Sequence, residues 1–222
     1  MKTSLQIFTA VAAVCCASQA LAQKAGSWSA SIGFTQIAPS VDSGNLSAPS
    51  LPGTKVDVKN NMQPTGAINY MMTDNIALHL PLGLGFKHDI VGAGAIAGVG
   101  KIADTKALPI TLIGQYRFME ANAQFRPYVG AGLSYVKFFK EHGTATLTAI
   151  TNPGGPATTL RFESRLAPTI GLGGVFNINE KWYVDLSYTK TFLSTRGTLS
   201  TGQTLDTKLN PSGYTFQVGY KF

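Results

Sequence analysis

The last nine residues of the chain, positions 214–222, alternate between two kinds of side chain. The even-numbered ones are large and apolar: Tyr214, Phe216, Val218, Tyr220 and Phe222. The residues between them are small, polar or charged, and a period of two places the two sets on opposite faces of a β-strand. An apolar face, a polar face and a terminal Phe are typical of the closing strand of a bacterial outer-membrane barrel. An edge strand of a soluble sandwich is the alternative.

Seven further segments alternate in the same way, which predicts an all-β fold: an eight-stranded antiparallel transmembrane β-barrel. The third predicted strand is the most regular, since every even-numbered residue from Ile76 to Phe86 is large and apolar, with His79 and Lys87 on the other face. The predicted strands cover residues 27–35, 61–72, 76–86, 107–118, 125–135, 165–178, 182–192 and 209–222.

The connections between these strands alternate in length. Those near residues 73, 121 and 180 are short, whereas four others are long and rich in Gly, Pro, Ser, Thr and Asn: residues 38–60, 88–105, 140–160 and 194–207. Outer-membrane barrels have short periplasmic turns and long extracellular loops. The spacing therefore predicts short turns and both chain ends at the periplasmic rim, and the long loops outside the cell.

The first 22 residues predict a cleaved signal peptide, which leaves 23–222 as the barrel domain. Lys2 precedes an apolar stretch, and Ala20-Leu21-Ala22 supplies small residues before a cut. Hydrophobic residues make up 44% of the chain and charged residues 13%, yet no later stretch approaches the roughly 18 apolar residues of a membrane-spanning helix. The expected location is the outer membrane of a Gram-negative bacterium.

Several blocks of sequence resemble the OmpW family of small outer-membrane barrels. They are residues 70–76 (YMMTDNI), 108–112 (LPITL), 125–132 (FRPYVGAG), 209–211 (LNP) and 219–222 (GYKF). The resemblance implies an eight-stranded barrel with a narrow, apolar interior. It also implies passive passage of small hydrophobic molecules across the outer membrane with lateral exit through the barrel wall, and attachment of phage or bacteriocin.

Six prolines lie inside predicted strands, where each removes one hydrogen-bond donor from the sheet: Pro64, Pro81, Pro109, Pro127, Pro168 and Pro211. A closed barrel in lipid has no free edge, so these gaps require an explanation. One is that bulges or internal side chains replace the missing donors. The other is a weakened seam at Pro81 and Pro109, on neighbouring strands, through which an apolar solute enters the bilayer.

The inward-facing positions carry more apolar residues than a water-filled pore favours. The predicted lining of the lumen and lateral exit is Met71, Ala77, His79, Pro81, Pro109, Ile113 and Val175. Because an eight-stranded barrel is only just wide enough to be filled by side chains, a plugged structural barrel and a hydrophobic conduit both stay open. Inward-facing polar residues predict a hydrogen-bonded network rather than a catalytic site: Asn69, His79, Gln115, Arg117, Asp185 and Lys221.

Removal of Lys2 lowers the formal net charge from +7 to +6, and the excess lies on the predicted outer side. The candidates for contacts with lipopolysaccharide phosphates are Lys87, Lys106, Lys137, Lys140, Arg161 and Arg165. These contacts suggest an alternative function, a structural or receptor barrel without a conduit.

The other expected partners are outer-membrane lipids, small hydrophobic solutes and the barrel-assembly machinery, which would act through the strand ending in Phe222. No nucleophile motif is present and the three histidines lack ligand spacing, so neither an enzyme nor a cofactor or metal site is predicted. An exported barrel is also a poor fit to nucleic acid.

Overall fold

The computed structural model describes residues 23–222, so the predicted signal peptide lies outside the described residues. It contains one short helix, α1 (Ala145–Thr151). No helix in this part of the chain is long and apolar enough to cross a membrane. The strands are β1 (Trp28–Ala38), β2 (Asp42–Ser43), β3 (Thr54–Val58), β4 (Asn61–Met71), β5 (Ile76–Gly83), β6 (Phe86–Gly94), β7 (Lys101–Arg117), β8 (Phe125–Gly143), β9 (Leu160–Phe162), β10 (Arg165–Asn177), β11 (Trp182–Thr191), β12 (Ser194–Leu199), β13 (Thr204–Lys208) and β14 (Ser212–Lys221).

The strands close into an antiparallel barrel. Each neighbour in the order β1-β4-β5-β7-β8-β10-β11-β14 pairs with the next, and β14 pairs back with β1 from Ser212 opposite Ala38 to Lys221 opposite Ser29. We call these eight barrel strands staves, and the third stave consists of β5 and its continuation β6. Each of the eight predicted strands falls on one stave, which confirms the predicted fold class. The short turns and the C-terminus lie at one rim, where the Phe222 N–H donates to the Trp28 carbonyl at 2.9 Å.

The outer face carries the apolar half of the alternating pattern. Exposed large residues follow the predicted positions on every stave, for example Ile32, Leu112, Leu172 and Phe216. Aromatic pairs ring the rim that holds the short turns: Trp28 with Tyr70, Tyr116 with Phe118, and Trp182 with Tyr220. Amphipathic rings favour the membrane interface, so this rim marks one boundary of the lipid-facing band.

The predicted orientation of Phe86 and Lys87 is wrong. Phe86 was expected to face lipid, but it is buried inside the barrel, and Lys87 is exposed on the outer face. The reason is a break in the third stave at Leu84 and Gly85, which separates β5 from β6. The two residue numbers of each β5–β7 pair add up to 192, as for His79 and Ile113. At the start of the β6–β7 ladder the sum is 193, as for Phe86 and Ala107, so the register has shifted by one residue. A shift of one residue exchanges the two faces of a strand.

The predicted long loops contain much of their own structure. Strand β8 runs for 19 residues and β7 for 17, so both rise well above the lipid-facing band. A second sheet, in the order β2-β13-β12-β9, joins them there. Together with α1 these strands enclose a hydrophobic core, and we call this extension the dome; its buried residues are Ile90, Ile96, Ile102, Ala103, Leu147, Leu160 and Leu199.

Candidate functional site: a gap in the barrel wall and the cavities behind it

The wall between β5 and β7 is interrupted. The β5–β7 ladder ends at His79 opposite Ile113, and pairing with β7 resumes only at Phe86 opposite Ala107. Residues 80–85 on one side and 108–112 on the other lie between these points without pairing to each other. We call this interruption the gap.

Pro81 and Gly83 turn their backbone groups towards the gap. The Met72 N–H donates to the Ile76 carbonyl at 2.8 Å, so the polar backbone groups of Ile76 point towards β4. The direction alternates from residue to residue along a strand, so the odd-numbered residues of β5 point towards β7. Pro81 therefore lacks its N–H on the side where the ladder is missing.

Pro109, on β7, also lacks its N–H on the side that faces the gap. The Arg117 N–H donates to the Asn75 carbonyl at 2.7 Å, so the odd-numbered residues of β7 point towards β5. If the β5–β7 register continued, Pro81 would face Thr111 and Gly83 would face Pro109. Each of these two pairs contains a proline and could form only one of its two ladder bonds. The prolines thus remove one donor from each side of the gap.

Pro64 and Pro127 have side-chain donors that replace the missing ones. Pro64 would face Leu84, and the amide of the neighbouring Gln63 donates to the Leu84 carbonyl instead. The Pro127 carbonyl accepts from the Phe118 N–H, but Pro127 has no N–H to donate back. The Arg126 Nε donates to the Phe118 carbonyl at 3.3 Å instead. The compensation by side chains that the sequence predicted as one possibility therefore holds at these two prolines.

Three cavities lie one above another inside the barrel and its dome. The gap cavity, of about 100 Å³, reaches the wall at Leu82, Leu84 and Leu108. The upper cavity, of about 80 Å³, shares Phe86 and Pro109 with it. The dome cavity lies above that one; the two share Val56, Ile90 and Phe162. The walls of the upper and dome cavities are largely apolar, so a continuous series of apolar walls leads from the dome to the gap.

The periplasmic end of the lumen is filled by a polar network. The buried Arg117 guanidinium donates to the side-chain oxygens of Gln23 at 2.8 Å, Gln115 at 3.0 Å and Asn69 at 3.4 Å. Arg126 is also buried and donates to the Asp74 carbonyl at 2.5 Å. These contacts tie three staves and the N-terminal segment together, and we call the group the floor.

Tyrosines extend the floor across the barrel. The Tyr128 hydroxyl donates to the buried Asp185 carboxylate at 2.8 Å, and the Tyr183 hydroxyl donates to Ser29 at 3.1 Å. The Arg117 guanidinium lies 5.8 Å from the centre of the Tyr128 ring, within the range of a cation–π contact. The predicted network of inward polar residues is therefore present, and it closes the lumen below the gap.

The predicted lining residues separate into two groups. His79, Pro81, Pro109 and Ile113 line the gap cavity. Met71, Ala77 and Val175 are buried at the level of the floor: Met71 pairs with Ala77, and Val175 pairs with both Asp185 and Arg126. The structure thus places four of the seven at the gap.

Sequence reasoning missed the buried polar residues of the upper cavity and part of the floor. His88 and Thr105 lie in segments predicted as loop, so no alternation was assigned to them. Gln23 is the first described residue, and nothing in its neighbours predicts a buried side chain. Arg126 follows the inward alternation of the fifth predicted strand, which is the signal that could have found it.

The candidate basic residues lie on the half of the barrel away from the short turns and in the dome. Lys87 pairs directly with Lys106 across β6 and β7, and Lys137 is exposed opposite Leu108. Lys140 has a positive φ of 53° at the upper end of β8. Arg165 forms an ion pair with Glu163, and Arg161 is exposed on β9.

The closed antiparallel sheet, with its apolar outer face, its aromatic rim and a polar network across one end of its lumen, defines an eight-stranded outer-membrane barrel. The model of the OmpW family matches residues 24–222, so the chain belongs to that family. Outer membrane protein W of Vibrio cholerae is 33% identical over 175 residues, which are 76% of this chain and 77% of that protein. The dibenzothiophene metabolism operon protein PahQ of Pseudomonas aeruginosa is 26% identical over 173 residues, with 76% and 74% covered.

A solved structure supports the same assignment. The crystal structure of OprG from Pseudomonas aeruginosa superposes with a TM-score of 0.80 at 26% identity and covers 90% of this chain and 97% of that one. The family and these neighbours are outer-membrane barrel proteins rather than enzymes. The protein is therefore located in the outer membrane of a Gram-negative bacterium, as the sequence predicted.

Proposed function

We propose that this barrel allows passive passage of small hydrophobic molecules across the outer membrane, with lateral exit through the gap. A molecule enters through the dome, occupies the upper cavity, and leaves the gap cavity between β5 and β7 into the bilayer. The expected role of the predicted lining residues His79, Pro81, Pro109 and Ile113 is to form this exit. Met71, Ala77 and Val175 instead support the floor.

The observation that carries the proposal is the missing ladder at two prolines whose absent donors both face the gap. An unpaired N–H in lipid costs several kcal/mol, so an opening in a membrane sheet is least costly where the donors have been removed. The closed floor supports a lateral route, because a straight path to the periplasm would have to displace the buried Arg117 and its partners. The name of the similar PahQ protein, which refers to dibenzothiophene metabolism, supports an apolar solute.

The direct test is uptake into proteoliposomes that contain the purified barrel. A hydrophobic fluorescent tracer and a small hydrophilic dye are compared in vesicles with and without the protein. We expect the barrel to accelerate entry of the tracer and to leave the dye outside, because the floor excludes a water-filled path. Equal rates for the tracer with and without the barrel, in vesicles where gel mobility shows it folded, would contradict the proposal.

A second candidate function is binding of lipopolysaccharide by the six candidate basic residues, in particular Lys87 and Lys106. Lys87 and Lys106 face each other directly across two strands, and like charges in that position destabilise a sheet unless an anion lies between them. Asp104 lies 4.0 Å from Lys87 and offsets part of this repulsion. Replacing both lysines by Gln should weaken binding to lipid A but leave binding to a phosphate-free lipid A unchanged. Equal binding by the variant and the parent would remove this candidate.

A further inference from the structure

The upper cavity is apolar except for a small group of side chains able to form hydrogen bonds. Its walls include Ile37, Phe86, Val136, Phe138 and Leu193, the half-buried Thr189 and Thr191, and also His88, Thr105 and Thr207. The last three are buried, at 5%, 4% and 3% exposure. Buried polar groups in proteins nearly always have partners, so groups that lack them point to something that the cavity receives.

Two of these groups are hydroxyls without a partner. Within residues 23–222 the Oγ1 atoms of Thr105 and Thr207 are fully buried and form no hydrogen bond. Thr105 pairs directly with His88 across β6 and β7, so their side chains are neighbours on the inner face. Thr207 reaches the same cavity from β13. The two hydroxyls therefore belong to one cavity but come from separate sheets.

The third group is an imidazole held in one tautomer. His88 Nδ1 lies 2.8 Å from the Lys59 carbonyl, which can only accept, so Nδ1 carries the hydrogen. The Nε2 atom then presents a lone pair, and no residue in the described part of the chain donates to it. Burial lowers the pKa of His88 below its ordinary value, so the ring is neutral at pH 7 and remains an acceptor.

This set of groups suits one class of ligand. A hydroxyl can donate to His88 Nε2 and accept from a threonine hydroxyl, and the apolar walls cover the hydrocarbon part. A hydrocarbon would leave all three groups unpaired. A site whose buried polar groups bond a ligand hydroxyl binds the analogue that lacks the hydroxyl much more weakly, because those groups then have no partner. A carboxylate would bring a buried charge to a neutral ring and no cation.

We infer that the upper cavity is a binding site for hydrophobic molecules that carry one hydroxyl group, with His88, Thr105 and Thr207 as the residues that select it. This inference rests on the proposed function, since it names the class of solute that the conduit takes. The upper cavity then lies on the route of the solute from the dome to the gap, because it shares lining residues with both the dome cavity and the gap cavity.

The test compares 1-octanol with n-octane at equal mole fraction in lipid nanodiscs that contain the whole barrel. Binding is followed by NMR, from the methyl signals of labelled threonine and the Nε2 signal of His88. We expect octanol to bind about tenfold more tightly than octane and to shift the Nε2 signal. Thr105→Val with Thr207→Val keeps the shape of both side chains and should bring the two affinities within about twofold of each other.

A matched control is Thr195→Val, because Thr195 is also buried and pairs with Thr207 but bonds the Glu163 carbonyl instead of lining the cavity. This variant should keep the preference for octanol. Equal affinities in the parent protein, or a preference that survives the double substitution, would overturn the inference. If octane binds and crosses as well as octanol, only this inference fails; if neither binds nor crosses, the proposed function fails with it.

Discussion

The β5–β7 wall and the β4–β5 wall both contain a proline whose donor is missing, yet only one of them is open. At Pro64 the amide of Gln63 donates to the Leu84 carbonyl in place of the absent N–H, and the strands stay together. At Pro81 and Pro109 the ladder ends and no pairing bridges residues 80–85 and 108–112. A proline therefore marks an opening in a membrane sheet only where no neighbouring side chain supplies a donor.

The largest expected effect concerns the closed floor beneath the gap. Arg117→Met removes the donor shared by Gln23, Gln115 and Asn69 and leaves the Gln115 oxygen buried without a donor, whereas Gln23 keeps Arg126 and Asn69 keeps His79. We expect the free energy of unfolding to fall by about 2–4 kcal/mol, measured by urea unfolding in lipid with gel mobility as the readout. The exposed Arg161→Met is the control and should change it by less than about 0.5 kcal/mol. Equal effects of the two substitutions would contradict the account of the floor.

The next effect tests the gap itself. Pro81→Val with Pro109→Val returns one donor to each facing pair, and each new ladder bond contributes about 1 kcal/mol to a closed wall. The two bonds together stabilise the closed wall by about 2 kcal/mol, so we expect tracer uptake to fall about thirtyfold in proteoliposomes. Pro168→Val is the control, because Pro168 accepts from the Phe192 N–H on the opposite side of the barrel. Unchanged uptake in the double variant would mean that the gap is not the exit.

A smaller effect tests the compensated proline. Gln63→Leu removes the donor for the Leu84 carbonyl and should lower the free energy of unfolding by about 1 kcal/mol. Adding Pro64→Val restores a backbone donor at the same carbonyl, so the double variant should recover most of that loss. Urea unfolding of the two variants measures both changes. If the second substitution gives no recovery, Gln63 does not act as the substitute donor.

The smallest effect lies above the membrane, in the dome. Lys101 bonds Asp104 at 2.8 Å and Asp89 at 2.7 Å, and the contact with Lys101 lowers the pKa of Asp104 below its ordinary value. A carboxylate with a lowered pKa stabilises the fold above its unfolded pKa of about 4, and that stability is lost as the pH falls from there through the folded pKa. Hydrogen exchange of β6 and β7, corrected for intrinsic rates, should therefore show weaker protection at pH 3 than at pH 7. Lys101→Met should reduce this difference, and an unaltered difference would exclude the ion pair as its cause.

The sequence predicted the lipid-crossing part of the barrel well, because one face of each strand meets lipid and the other the lumen. That constraint forces a period of two, visible from Trp28 to Phe34 and from Tyr214 to Phe222. The dome was not predicted. Its strands contact other strands and α1 rather than lipid on one face and the lumen on the other, so they need not alternate with a period of two. Its core residue Ile96, for example, lies within a Gly- and Ala-rich segment that resembles an ordinary loop.

The gap was predicted only in part. Pro81 and Pro109 were recognised as neighbouring prolines, but their relation depends on which neighbour each backbone group faces, and alternation of side chains does not reveal that. The register shift at Leu84 and Gly85 was hidden, because Leu84 and Phe86 continue the even-numbered pattern although they lie on opposite faces. An apolar residue suits both lipid and an apolar cavity, so the pattern could not distinguish them.

The central claim is that solute leaves through the gap, and reversible closure of the gap tests it most directly. The described chain contains no cysteine, so Leu82→Cys with Ile110→Cys places two thiols on opposite sides of the gap, and a disulfide-forming bifunctional reagent can bridge them. The same reagent on Leu172→Cys with Tyr188→Cys, a pair in the intact β10–β11 wall, is the control. We predict that bridging the gap stops tracer uptake, that reduction restores it, and that the control pair has no effect. Uptake that continues through a bridged gap would contradict the account.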